Sequence, residues 1–402
     1  MNTTNTVFAP SDITIPADGS TTARDILSAY LRKQYRTLLA IPFARLTGTS
    51  EGDAFVERMR ALAKEDPGLL FTILRKPTIG GLIRLIATRD GSMAEIAHWA
   101  AEIMGLIGFE LAAAGRGSGT VPAAGAYPML TSLHGRVALA IPSTARTVTF
   151  DGSIVSWDGL GSGAVDLDEA PVGLEHPYHT IRDAIVLATY DNNPRAGVEA
   201  HPDKAGNHVD LGAKSADEWV ASLREAFDMV EAHTPQLVPE INLLIHQMVP
   251  VGFEPEKHLS ASLMELIGNI YLSLHPDPVV MAEAIVHEFS HNKINMLWSL
   301  NPLLENAFQP LYSSPVRPDP RPLFGVLLAV HAFLPVETMY LAMRDADHPV
   351  TRHPRFASRL AQVRKANAEA AATVLGNGIP TPAGQPVLEE IRRLDAELAA
   401  RH

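Results

Sequence analysis

The spacing of apolar residues changes twice along this chain, and each change restricts the folds open to it. Up to about residue 115 the apolar positions recur with helical period. Thr21 or Thr22 caps a helix carrying Ile26, Leu27, Tyr30, Leu31 and Tyr35, and further helical patterns run over 53–64, over 67–86 with a break at Pro77, and over 91–114. The Gly/Pro-rich stretch GRGSGTVPAAGAYP interrupts this pattern, and strand-like alternation follows at 136–141, 147–150 and 153–157, separated by Asp151-Gly152 and Asp158-Gly159 turns. From about residue 180 the two periods mix. The expectation is an α+β fold in three parts: a helical N-terminal lobe (1–115), a small antiparallel β unit (116–180) and a metal-binding lobe with C-terminal helices (181–402). A length of 402 residues agrees with two or three lobes, and no internal repeat is evident.

Within the third part, a short apolar run at 185–189 precedes a loop over 190–213, and Ser215 then caps a helix to about His233. Gly268–His275 reads as a strand ended by Pro276 and Pro278. Asp277 with Pro278 opens a helix that runs to Leu300, where Asn301-Pro302 stops it. After a proline-rich loop, 309–322, come a second apolar helix, 323–344, and amphipathic helices over 355–375 and 386–401.

Composition removes several classes of function. Thirty-three basic against forty-five acidic residues give a net charge of −12, which opposes binding to a phosphate backbone, so no nucleic-acid partner is expected. The chain has no cysteine, which excludes disulfides, thiol nucleophiles, iron–sulfur clusters and Cys-ligated zinc. Any metal must sit on His, Asp or Glu. The N-terminal sequence lacks the basic start and apolar stretch of a signal peptide. No uninterrupted apolar run approaches the ~18 residues of a membrane span, the nearest, 323–336, being broken by His331. No basic amphipathic helix offers a membrane-surface contact. A cytoplasmic protein without a membrane partner is the expectation.

The sharpest chemical signal is His287-Glu288-Phe289-Ser290-His291, an HExxH inside the helix after Pro278. Residues four apart on a helix lie on one face, so both imidazoles can address one metal with Glu288 beside it. The residues following the motif exclude a metzincin, which needs Gly where Ile294 stands and His where Leu297 stands. Candidates for a third ligand are Glu305, Glu337 and His331, the last being the only histidine of the apolar helix 323–344. Between the two helices lies YSSPVRPDPRP, from Tyr312 to Pro322, in which Ser314, Arg317 and Arg321 sit among prolines that stiffen the backbone. Such a loop suits a preorganised carboxylate clamp, the alternative being a rigid linker with an Arg–Asp319 pair. His201 and His208 stand in a loop rich in turn formers, where hydrogen bonding explains them more simply than a second metal.

Three segments together, SASLMELIGNIYLSLHPDPVVMAEAIVHEFSHNKIN, YSSPVRPDPRPLFGVLLAVHAF, and the upstream DNNP with EAHPDKAGN, resemble the HExxH-motif peptide-modification family of ribosomal peptide pathways. The resemblance covers roughly residues 191–333. It implies a zincin-like metal helix in a non-haem iron(II), 2-oxoglutarate-dependent oxygenase that uses dioxygen to hydroxylate a β-carbon of a precursor peptide. Carried over, His287 and His291 match the two motif ligands, His331 would be the third, and Arg321, or else Arg317, would hold the 2-oxoglutarate carboxylate. Asn295, on the ligand face, would orient the keto acid. Asp203 and Lys204 also resemble family positions. Glu288 would then support a ligand or bound water rather than act as a base. Two other classes remain open: a zinc metallopeptidase with Glu288 as general base and strand 268–275 holding an extended substrate, and a catalytically silent peptide-binding partner.

Overall fold

The computed structural model describes residues 9–123, 129–169, 173–197, 200–201, 204–314 and 319–401. Arg317 and Asp203 lie outside them. The fold is α+β. It opens with α1 (Thr22–Ala40), α2 (Phe43–Thr47), α3 (Glu51–Glu65), α4 (Pro67–Leu74), α5 (Pro77–Thr88) and α6 (Met93–Ala113). Pro77 separates α4 from α5 because a proline cannot continue a helix yet fits its first turn. Ser92 starts α6 with a reciprocal capping box to Glu95.

The middle stretch forms two antiparallel sheets. Strands β1 (Gly117–Pro122), β2 (Met129–Ser132), β3 (Val137–Ala140), β4 (Ala145–Gly152), β5 (Ile154–Gly159), β6 (Gly163–Asp166) and β7 (Leu174–Glu175) distribute as β1-β4-β5-β6 and β2-β3-β7. Both rest on α6, where Gly108 lets the Phe150 ring approach so closely that a Cβ would lie 2.2 Å from it.

The metal-motif part is built on a mixed sheet. After β8 (Tyr178–Arg182) and β9 (Ile185–Ala188) come β10 (Ala200–His201) and β11 (Lys204–Ala205), a separate two-stranded ribbon. Helices α7 (Ala216–His233) and α8 (Val238–Leu244) lead to β12 (Gln247–Phe253), β13 (Ser260–Ala261) and β14 (Asn269–Leu274). The order is β13-β14-β12-β9-β8, with β14, β12 and β9 parallel and the outer pairs antiparallel. Then follow α9 (Pro278–Leu300), the short pair β15 (Leu311–Tyr312) and β16 (Arg321–Pro322), α10 (Leu323–Asp345), α11 (Pro354–Asn377) and α12 (Gln385–Ala399). Asp277 caps α9 through Val279 N at 2.9 Å, and Ser215 caps α7 in a capping box with Glu218. β8 straddles the expected boundary at 180, and one apolar core runs from Ile13 to Leu398 through all three stretches.

Among the described residues two helices, Met93–Ala113 and Leu323–Asp345, are long and apolar enough to cross a membrane, yet 83% of each apolar window is buried inside the fold. Both pack as core helices.

Candidate metal centre

α9 lies under the β13 edge of the sheet, and a hydrogen-bond network fixes its rotation. Asn292 accepts from Gly268 N at 2.7 Å and donates to Ser262 Oγ and Asn269 O, while Ser262 Oγ donates to the Glu288 carbonyl. With Asn292 turned to the sheet, helical spacing turns His287, Glu288, His291 and Asn295 into a cleft of about 340 Å³. Ser260, Ala261 and Ser262 form its edge. Its opposite wall is Arg321, Gly325, Leu328, Ala329 and Phe333, with Ser314 at the rim.

The two imidazoles stand with ring centroids 4.4 Å apart at 81°, and Phe333 packs on His287 at 4.7 Å. Burial, the neighbouring His291, and then Arg359 and His258 hold the His287 ring well below the usual histidine range; burial lowers His291 to about 4. Both rings are therefore neutral near pH 7, the form that binds metals. The buried His291 Nδ1 and Asn295 Oδ1 have no hydrogen-bond partner. Glu288 accepts from Ser260 Oγ at 2.7 Å, which holds its carboxylate beside the cleft.

Arg321 is half-exposed and pairs with Asp319, Nε to Oδ2 at 2.9 Å. Arg321 thus makes the Asp319 pair of the rigid-linker reading, and it also lines the cleft. Tyr312 pairs across the ribbon with Arg321 but does not line the cleft.

The structure does not bring His331 to this cleft. Its buried ring sets Nε2 3.3 Å from the carbonyl of Ile13, and burial, followed by Lys293 and His291, lowers it to about 3. Gly325, Leu328, Ala329 and Phe333 are the residues of α10 that face the imidazoles. Glu337 is bound by Asn367 at 2.8 Å, Glu305 and His208 are exposed, and among the described residues no three His, Asp or Glu side chains converge as a metal group. The residues present therefore fit a metal held by two imidazoles, His287 and His291, with its other positions left to small ligands from the cleft.

Sequence reasoning missed a second chamber. It is about 600 Å³ and shares Ser260, His287 and Phe333 with the cleft. Glu283 lies in its wall, accepts from Tyr340 Oη at 2.8 Å and pairs with Arg359, which also sits over Phe333 at 6.0 Å. His258, just before β13, lines the same chamber. These residues come from four separate segments, and no local spacing announces them.

Against known proteins, the chain matches no family model and no curated sequence.

Proposed function

We propose that the chain is an iron(II)- and 2-oxoglutarate-dependent oxygenase that hydroxylates a β-carbon of a ribosomally made precursor peptide. The observation that carries the reading is the meeting, in one cleft, of two neutral imidazoles and a guanidinium on the facing wall. A metal on His287 and His291 and an anionic co-substrate on Arg321 need this juxtaposition, whereas hydrolysis by HExxH needs no such cation. Bound there with the keto acid, iron would supply oxidising chemistry from dioxygen. Arg321 would orient the distal carboxylate, with Asn295 and Ser314 beside it. Glu288, held by Ser260, would keep a ligand or water in place. The edge of β13 would take an extended peptide, and the larger chamber beyond Phe333 would receive the side chain to be modified.

A zinc peptidase is the second reading, favoured by Glu288 lining the cleft next to both imidazoles. Anaerobic loading with iron(II) and 2-oxoglutarate separates the two. The oxygenase should show a visible charge-transfer band, then oxygen-dependent succinate and a peptide heavier by one oxygen atom. Arg321→Ala should raise the 2-oxoglutarate needed for half-saturation at least about tenfold, since a charge-assisted contact contributes about 1.5–3 kcal/mol. Peptide cleavage by zinc-loaded protein without 2-oxoglutarate would decide for the hydrolase.

A further inference from the structure

A separate concavity of about 230 Å³ lies where the helical stretch, the β2–β3 turn and the mixed sheet meet, and Arg75, Lys76, Glu110, Arg136 and His246 line it. It shares no lining residue with the metal cleft. Its charges do not balance. Lys76 is buried and sits 3.3 Å from the buried Glu110, so these two neutralise each other. Glu110 is further occupied by Ser132 Oγ at 2.7 Å, Leu133 N at 2.7 Å and His134 N at 3.2 Å.

The other two cations bind only neutral acceptors. Arg75 donates Nε to His246 Nε2 at 3.1 Å and Nη2 to the Leu243 carbonyl. Burial and Arg75 lower His246 to about 3, so the ring stays neutral and acts only as a hydrogen-bond acceptor for Arg75. Arg136 donates to Thr180 Oγ1 and to the Asp183 carbonyl. The Asp183 carboxylate is turned to Asn242 Nδ2 at 2.8 Å, and among the described residues no carboxylate lies in ion-pair range of either guanidinium. Two guanidiniums with no carboxylate, in a concave site of a chain whose net charge is −12, call for an anion from outside. The planar fork of a guanidinium matches a carboxylate.

We propose that this concavity binds a carboxylate, either a free small dicarboxylate or the side chain of an acidic peptide. The assignment is independent of the metal chemistry proposed above. Succinate, a blocked Gly-Glu-Gly peptide and inorganic phosphate should each be titrated calorimetrically into the full chain carrying Arg321→Ala, which removes the cation of the metal cleft. A carboxylate probe should bind with Kd at or below about 1 mM, weakening with added salt. Arg136→Asn should weaken binding tenfold or more; Arg136 has φ 56°, which asparagine also accepts. Thr72→Glu, at the rim, should do the same by placing a tethered carboxylate at the mouth. Binding of succinate alone assigns the free dicarboxylate, and binding of the peptide assigns the acidic side chain. No binding of either carboxylate, unchanged affinity in both variants, or phosphate binding tighter than both carboxylates overturns the proposal.

Discussion

Lys293, two residues beyond the second motif histidine, is fully buried with its Nζ 2.5 Å from Glu240 of α8. Its charge also acts on Asp12, His331 and Glu390. Burial raises the Glu240 carboxyl, and Lys293 opposes that rise. Lys293→Met keeps most of the side-chain volume and leaves Glu240 as a buried charge without its cation. Breaking such a pair from one side costs about 3–5 kcal/mol, or roughly two to three and a half orders of magnitude in the folding equilibrium. Replacing both partners, as in Lys293→Met with Glu240→Met, should return to within about 1 kcal/mol of the parent, because an apolar pair has no desolvation penalty. Urea unfolding followed by the fluorescence of the buried Trp219, on α7 against α9, provides the measurement. The single variant's deficit should shrink on acidification, as Glu240 takes up a proton. A loss below about 1 kcal/mol in the single variant at pH 7, or a double variant no more stable than the single, would refute the reasoning.

Burial raises Glu102 to about 8, partly opposed by Lys76 and an Asn192 hydrogen bond. The folded state therefore keeps a proton that the unfolded chain releases, and this contribution to stability, complete below the unfolded value, is lost as pH rises through about 8, at up to ~1.4 kcal/mol per unit. Glu102→Gln should flatten the decline in thermal midpoint over that window; parallel curves for variant and parent would count against it. Because His331 faces Ile13, His331→Ala should leave iron or zinc retention on dialysis unchanged, while Leu328→His, on the cleft wall, should increase it; metal analysis showing the reverse would return His331 to the ligand set. Ser215→Ala removes one side of the α7 capping box and should cost about 1 kcal/mol in chemical unfolding, with Ser215→Asp restoring most of it.

Local signals were legible where a residue acts on its own neighbourhood. Pro77, Asp277-Pro278 and Ser215 mark helix ends because caps and prolines work within one turn, and His287 with His291 share a face by helical geometry alone. The facing of α10 was not legible. That helix is apolar on almost every side, so its period could not tell whether Leu328 or His331 lines the cleft beside the two imidazoles. Strand order was equally hidden: β9, β12 and β14 pair in parallel across long intervals, and β8 leaves the hairpin region to join them. The carboxylate-seeking concavity combines residues 75, 136 and 246, which only the tertiary fold brings together.

The anchoring of the N-terminal segment joins the two ends of the chain. Thr14 N and Ile15 N both donate to the Glu390 carboxylate of α12, a partner 376 positions away from Thr14. Ile13, beside them, supplies the carbonyl that holds His331. During synthesis the contacts of Thr14 and Ile15 with Glu390 must wait until α12 has left the ribosome, whereas α10, which carries His331, and α8, which carries the Glu240 partner of Lys293, are available earlier. Residues 14 and 15, near the start of the chain, are thus among the last to gain all of their partners.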